Sequence, residues 1–384
     1  MFFNLKTSEL LIISLFFVTA INCALTYFCC SKSLKIFEID KSINKAVNKL
    51  RIFDQYVLSK INLLISLFYF GVSYLFVDSV IAKSNYIFFF SCILSFIFTL
   101  ITTFFSRLCY CYTCNVLLET KLNEKECFIV NFKRLFTIYL PFIIISLVIP
   151  VLYLFNFPSL YKNIFSIAIL IMILIVWVIL TPKIMVLVYN AKKIEGNTML
   201  KYRLDLLMKG HQIKKYKLYY WDTSRSKESN AMVSGISTYH LFLSSSLIED
   251  VTLPELETVI THEIGHIKNR HLIKMMVGKV FIIGLLIFMV VSPYLFKFND
   301  FNKVLFYIIT ALVSVLAILI SGNVERRYES EADTYAACYN DPELFESALR
   351  KIIKYEDESV NKMDEIFQSH PDIKERIERI KKGE

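Results

Sequence analysis

Residues 84–106 read Ser84-Asn-Tyr-Ile-Phe-Phe-Phe-Ser-Cys-Ile-Leu-Ser-Phe-Ile-Phe-Thr-Leu-Ile-Thr-Thr-Phe-Phe-Ser106, without one charged side chain. A helix crossing the hydrocarbon of a bilayer needs about 20 such residues, so this run is long enough to span. Comparable runs lie at 10–31, 61–77, 135–161, 163–182, 280–296 and 304–324, those at 61–77 and 280–296 being the shortest. Pro141, Pro150 and Pro158 lie in the 135–161 run, which predicts a kink and an early exit there. The reading is a mainly α, polytopic membrane protein with seven transmembrane helices.

Composition agrees. The 384 residues are 55% hydrophobic and 20% charged, with a mean hydropathy of +0.50. Disorder, collagen-like repeats and a disulfide-stapled miniprotein each need a different composition. One soluble core could not hide this much apolar surface. The net charge of +9 could suggest nucleic acid, but the basic residues gather in connecting segments rather than along one helical stripe. Segment 32–60 carries seven Lys or Arg and segment 107–134 carries five, while the intervening loops carry one or two. That alternation predicts a lumenal N-terminus and a cytosolic C-terminus, with the lipid bilayer and not nucleic acid as partner. The nine cysteines are odd in number and follow no framework spacing. Those within apolar runs read as small hydrophobes.

The long hydrophilic stretches 183–279 and 325–384 both fall on the cytosolic side. In the first, Thr252-Leu-Pro-Glu255 is a helix start with a capping box, and Leu256, Val259, Ile260, Ile264 and Ile267 recur at helical spacing. That helix carries His262-Glu263-Ile-Gly-His266. Its two histidines, four apart, share a face and can reach one zinc ion, and Glu263 beside them can take a proton from an attacking water. A catalytic zinc needs a third protein ligand. His271 sits nine residues after His262, where the long metzincin pattern wants ten. The second stretch offers Glu329 and Asp333, four apart: one carboxylate can bind metal while the other accepts a hydrogen bond from a ligating imidazole. Glu325 and Glu331 read as a solvated helix face.

His262-Glu-Ile-Gly-His266, two intervening spans and Arg326-x-x-Glu329-x-x-Ala332-Asp333 together resemble the integral-membrane zinc proteases, a group that includes the type I CAAX prenyl proteases and the HtpX-like quality-control proteases. The resemblance implies His262, His266 and Glu329 as Zn2+ ligands, Glu263 as general base and Asp333 behind the ligands. Ser229-Asn230-Ala231 with Gly235 is similar to the family's strand, whose edge pairs with the substrate backbone. Ser369-His370-Pro371 followed by Arg376-Ile377 is similar to its C-terminal signature, in which the histidine stabilises the oxyanion. These imply Asn230, Ala231 and Arg376 as substrate-binding and His370 as catalytic. HtpX-like proteases resemble four-span proteins. Seven spans, with the zinc helix between the fifth and sixth, match the CAAX branch.

That branch implies a large intramembrane chamber, a small β-strand edge and cleavage of the C-terminal tripeptide from prenylated CAAX proteins. With few ionisable residues in the runs, any chamber lining falls to Asn, Ser, Thr and Tyr. The expected organisation is 1–190, spans one to five; 191–279, the first part of the protease domain with the zinc helix; 280–324, spans six and seven; and 325–384, the second part with the third ligand. Lys381-Lys382-Gly383-Glu384 matches a dilysine return signal and suggests the endoplasmic reticulum membrane. A prenyl-independent quality-control protease acting on membrane proteins, and a receptor or scaffold with a relic zinc site, are the alternatives.

Overall fold

The computed structural model describes residues 7–43, 46–47, 49–50, isolated positions between 65 and 77, 87–120, 123–153, 159–196, 198–278, 280–281, 300–352 and 376–379. The described residues fall into two compact units, one from the first 190 residues and one from Ala191 onward.

The first unit is helical: α1 (Thr7–Asp40), α2 (Ile87–Leu118), α3 (Glu124–Tyr153) and α4 (Ser159–Tyr189), each packed on the next. Along α2 the hydroxyls of Ser91, Ser95, Thr99, Thr102 and Ser106 recur every three or four residues on one buried face. They meet their neighbours there. The Tyr69 hydroxyl lies 2.8 Å from both Thr19 and Thr102, and Thr26 meets Ser106 at 3.1 Å. On the α3 side, Tyr139 reaches Thr99 at 2.7 Å, and Asn131 donates to Thr103 at 3.2 Å. Phe16 and Phe17 of α1 and Ile179 of α4 point outward and are exposed. Lipid tails are as apolar as leucine, so no hydrophobic drive pairs helices in a membrane and small polar side chains hold them together.

Among the described residues three helices are long and apolar enough to cross a membrane: Ser8–Asp40, Phe89–Leu118 and Ile171–Tyr189. The run at 61–77 is described at only a few positions, and most of 280–296 lies outside the described residues. In the 135–161 run, α3 continues through Pro141 and Pro150 as far as Tyr153. Cys30 and Cys114 are buried with Leu50 and Leu117, as packing residues.

The second unit begins with β1 (Lys192–Lys193), α5 (Met199–Gly210), β2 (Tyr216–Trp221), β3 (Ala231–Ser234), β4 (Tyr239–Ser244), α6 (Ser245–Asp250) and α7 (Leu253–Lys268). It continues with α8 (Asp300–Tyr339) and α9 (Pro342–Ile352). The sheet runs β1-β2-β4-β3, with β2 and β4 parallel and the outer pairs antiparallel. On one face Leu218, Leu241 and Leu243 pack with Leu204 and Met208 of α5 and with Leu256, Val259, Ile260, Ile264 and Ile267 of α7. The apolar stripe of α7 is therefore what binds this helix to the sheet. Among the described residues β3 pairs only with β4, which makes it an edge. It ends at Gly235, whose φ of +104° favours glycine.

The 40-residue α8 contains the last apolar run and continues unbroken past Val324 into the acidic stretch. At 1.5 Å per residue it is about 60 Å long. The apolar run and the carboxylates after it thus belong to one rigid element.

Candidate metal centre

The start of α7 is tightly held. The Glu255 carboxylate accepts from the Thr252 N–H at 2.7 Å and from its hydroxyl at 2.9 Å. It also receives Ser347 and Lys351 of α9. Burial alone would raise the Glu255 pKa, but Lys351, Ser347 and Thr252 outweigh it and hold the carboxyl at about 2. A helix anchored at its first turn and along its apolar stripe presents His262, Glu263 and His266 with little freedom.

Against it lies α8. A Cβ at Gly265 would come 3.0 Å from Ala332 Cα and 3.2 Å from Ala332 O. The two backbones meet at Gly265 because no side chain stands between them. Glycine inside a helix costs up to about 1 kcal/mol relative to alanine, so the close approach is what this glycine provides.

At that separation Glu329 reaches both histidines. The Nε2 atoms of His262 and His266 are 3.3 Å apart. Glu329 Oε2 lies 3.4 Å from His262 Nε2, and Oε1 lies 3.4 Å from His266 Nε2. A tetrahedral ion with bonds of roughly 2.0–2.2 Å sets its donors about 3.3–3.6 Å apart, and each of these three pairs, the two carboxylate ones through different Glu329 oxygens, falls in that range. Among the described residues these three are the group able to hold a metal.

Asp333 Oδ1 lies 2.9 Å from His262 Nδ1, close but off the line of a straight hydrogen bond. Burial disfavours charge on His262, yet Asp333 and Glu329 together raise its pKa to about 10. The pocket thus favours positive charge where the Nε2 atoms converge. Burial likewise works against ionised Asp333. Arg376 and His262 outweigh it and hold the carboxyl at about 2. Arg376 donates to Asp333 through Nε and Nη2, both at 2.7 Å. The Arg376 guanidinium clasps the carboxylate behind His262, where burial leaves Asp333 in need of a paired cation.

Other expected site residues stand as follows. Glu263 is half-buried beside His262 on α7. Asn230 bonds Ser244 at both backbone atoms, and Ala231 opens β3, which packs against α7. His370 lies outside the described residues.

His271 and Glu331 are neighbours of the site, and Glu331 differs from the sequence expectation. His271 is fully buried, its Nδ1 3.0 Å from His266 Nδ1 and its Nε2 2.9 Å from Glu331 Oε2. Burial lowers the His271 pKa, and the His271 hydrogen bond lowers that of Glu331. Glu331 is therefore a partner of the site rather than part of a solvated face. Sequence spacing alone does not show this, because α7 stops at Lys268 and Arg270 turns the chain with φ +57°. The available signal was a third histidine just past the helix end, together with a second acid two residues after Glu329.

Residues 196–384 match the family profile "Peptidase family M48". A protease HtpX homolog of Bacteroides fragilis is 33% identical over 162 residues, covering 37% of this chain and 50% of that protein. One from Thermoanaerobacter pseudethanolicus is 28% identical over 187 residues, covering 40% and 62%. The chain thus spans about half to three-fifths of the length of these relatives. The crystal structure of S. mikatae Ste24p shares the fold at TM-score 0.63 and 21% identity, over 98% of this chain and 99% of that one. The resemblance carried by the motifs stands: the likenesses are to peptidase family M48 and, in fold, to Ste24p.

Proposed function

With residues 196–384 matched to peptidase family M48 as premise, we propose that the protein is a zinc-dependent membrane endopeptidase that removes the C-terminal tripeptide from prenylated CAAX proteins. The carrying observation is the convergence of His262, His266 and Glu329, the two Nε2 atoms 3.3 Å apart and each 3.4 Å from one Glu329 oxygen. The motif set and the fold shared with Ste24p along nearly the whole chain support the finer reading. Seven spans around a chamber, in the endoplasmic reticulum membrane with the site facing the cytosol, complete the proposal.

His262, His266 and Glu329 would hold the ion, with Asp333 and Arg376 fixing the His262 ring. Bound there, zinc supplies Lewis-acid chemistry that polarises a scissile carbonyl and acidifies water. Glu263 accepts a proton from the attacking water and delivers it to the departing amide nitrogen as the C–N bond breaks. His370 donates to the carbonyl oxygen as charge builds on it. The open edge of β3, entered at Asn230 and Ala231, offers N–H and C=O groups in register to an extended peptide, whatever its side chains.

The test uses purified protein with matched farnesylated and unmodified peptides, beside Glu263→Gln. Cleavage of the farnesylated peptide alone, reduced about 10²- to 10⁴-fold in the variant, is expected. Equal cleavage of both peptides would replace the CAAX reading with prenyl-independent proteolysis of membrane proteins. Full activity in the variant would sink the metallopeptidase reading.

A further inference from the structure

The two imidazoles that converge with Glu329 are steered differently. His262 turns its Nδ1 directly to a carboxylate, Asp333. His266 turns its Nδ1 to a second imidazole, and only beyond that ring, at Glu331, is there a carboxylate. We infer that His271 and Glu331 are positioning residues that set the ring orientation and proton placement of His266 for metal binding. The inference rests on the zinc reading of the site.

The hydrogen-bonding roles follow from the ends of the chain. An ionised carboxylate only accepts, so Glu331 draws the His271 proton to Nε2. The His271 Nδ1 then carries a lone pair, and it faces His266 Nδ1 at 3.0 Å. One hydrogen must lie between those nitrogens, and it belongs to His266. The His266 Nε2 is left with its lone pair, pointing at His262 and Glu329. Reversing either link would place an N–H on the His266 nitrogen that has to bind metal.

The surroundings keep this chain in order. The His271 ring stacks on Tyr328, with centroids 4.4 Å apart and planes 14° from parallel. Lys274 covers the Tyr328 ring, and Arg327 donates to the other Glu331 oxygen at 3.0 Å. The left-handed Arg270 returns His271 toward the ring five residues before it. Glu331 and Glu329 lie two apart on α8, so one helix supplies a metal ligand and, through His271, the support for another.

The experiment measures zinc dissociation constants of the full-length protein in detergent by chelator competition, with Co2+ absorption as a second readout of ligand geometry. His271→Phe keeps the stack on Tyr328 but offers no lone pair. It should weaken zinc binding about 10- to 100-fold and shift the Co2+ bands. His271→Gln returns a carbonyl oxygen to His266 and should recover part of that loss. Glu331→Gln, whose amide can donate as well as accept, should weaken binding in the same direction. The double variant His271→Phe with Glu331→Gln should be no worse than His271→Phe, because both act in series through His266. Unchanged constants in the single variants, or additive losses in the double, would overturn the inference and leave the zinc site standing. A wild-type protein that takes up no zinc would sink the site and the inference together.

Discussion

Between α1, α2 and α3 the buried polar groups are neutral: Thr19, Tyr69, Thr102, Thr99 and Tyr139 bond one another through hydroxyls. Around the metal centre they are ionisable and paired, as in Asp333 with Arg376 and Glu255 with Lys351. In the first unit Phe16, Phe17 and Ile179 face outward around a seam of buried hydroxyls, whereas the sheet and α7 of the second enclose an apolar core beside the paired ions. The contrast has a cost consequence. A hydroxyl that loses its partner within a membrane can often find another, whereas a buried ion deprived of its counter-charge cannot.

The sharpest way to break the comparison is Arg376→Met, which strands Asp333 as a buried unpaired anion. It should cost about 3–5 kcal/mol in chemical unfolding. A loss no larger than that of a hydroxyl pair in the first unit would remove the distinction. Next comes Gly265→Ala. The added methyl meets the Ala332 backbone, which cannot swing aside as a side chain would. Overpacking of about 1–3 kcal/mol should exceed the helix-propensity gain, lowering the melting temperature and weakening zinc binding.

A smaller effect, of about 1–2 kcal/mol at neutral pH, is expected for Glu255→Gln. Its pH dependence is more telling. The Glu255 carboxyl is held at about 2 against an ordinary 4.5, so its contribution is complete above about pH 4.5 and drains away as the pH falls toward 2. The wild-type melting temperature should therefore drop more steeply through that window than the variant's. Equal slopes would show that the α7–α9 clamp carries no ionic stabilisation. The smallest effect belongs to Tyr69→Phe in the first unit, about 0.6 kcal/mol in mixed-micelle unfolding. A loss of several kcal/mol would mean that the hydroxyl seam is as unforgiving as the ion pairs.

Much of this was legible before folding was considered. Uncharged runs name their solvent, because bilayer thickness sets their length. The capping box at Thr252 and the apolar stripe from Leu256 to Ile267 define α7, and its i, i+4 spacing places His262 beside His266. Those signals are local. The hydroxyl repeat on α2 was also present in the sequence, but hydropathy counting blends it into the apolar run. The metzincin spacing sets His271 aside as a ligand, but no local pattern shows that the turn after Lys268 brings its ring to His266. The resemblance implies a substrate role for Arg376, and nothing in its sequence neighbourhood names its partner Asp333, 43 residues away.

The sequence by itself determined that the chain belongs in a membrane, that α7 forms, and that a pair of histidines and a pair of later carboxylates are the candidates for metal chemistry. Tertiary structure decided which carboxylate meets which ring: Glu329 at both Nε2 atoms, Asp333 behind His262, and Glu331 behind His271. It also decided that β3 is an edge and that Arg376 serves Asp333. The reason is range. Periodicity and capping act within a few residues, whereas these pairings join residues 43 to 71 positions apart and depend on two backbones meeting at Gly265 and Ala332 and on one left-handed turn at Arg270.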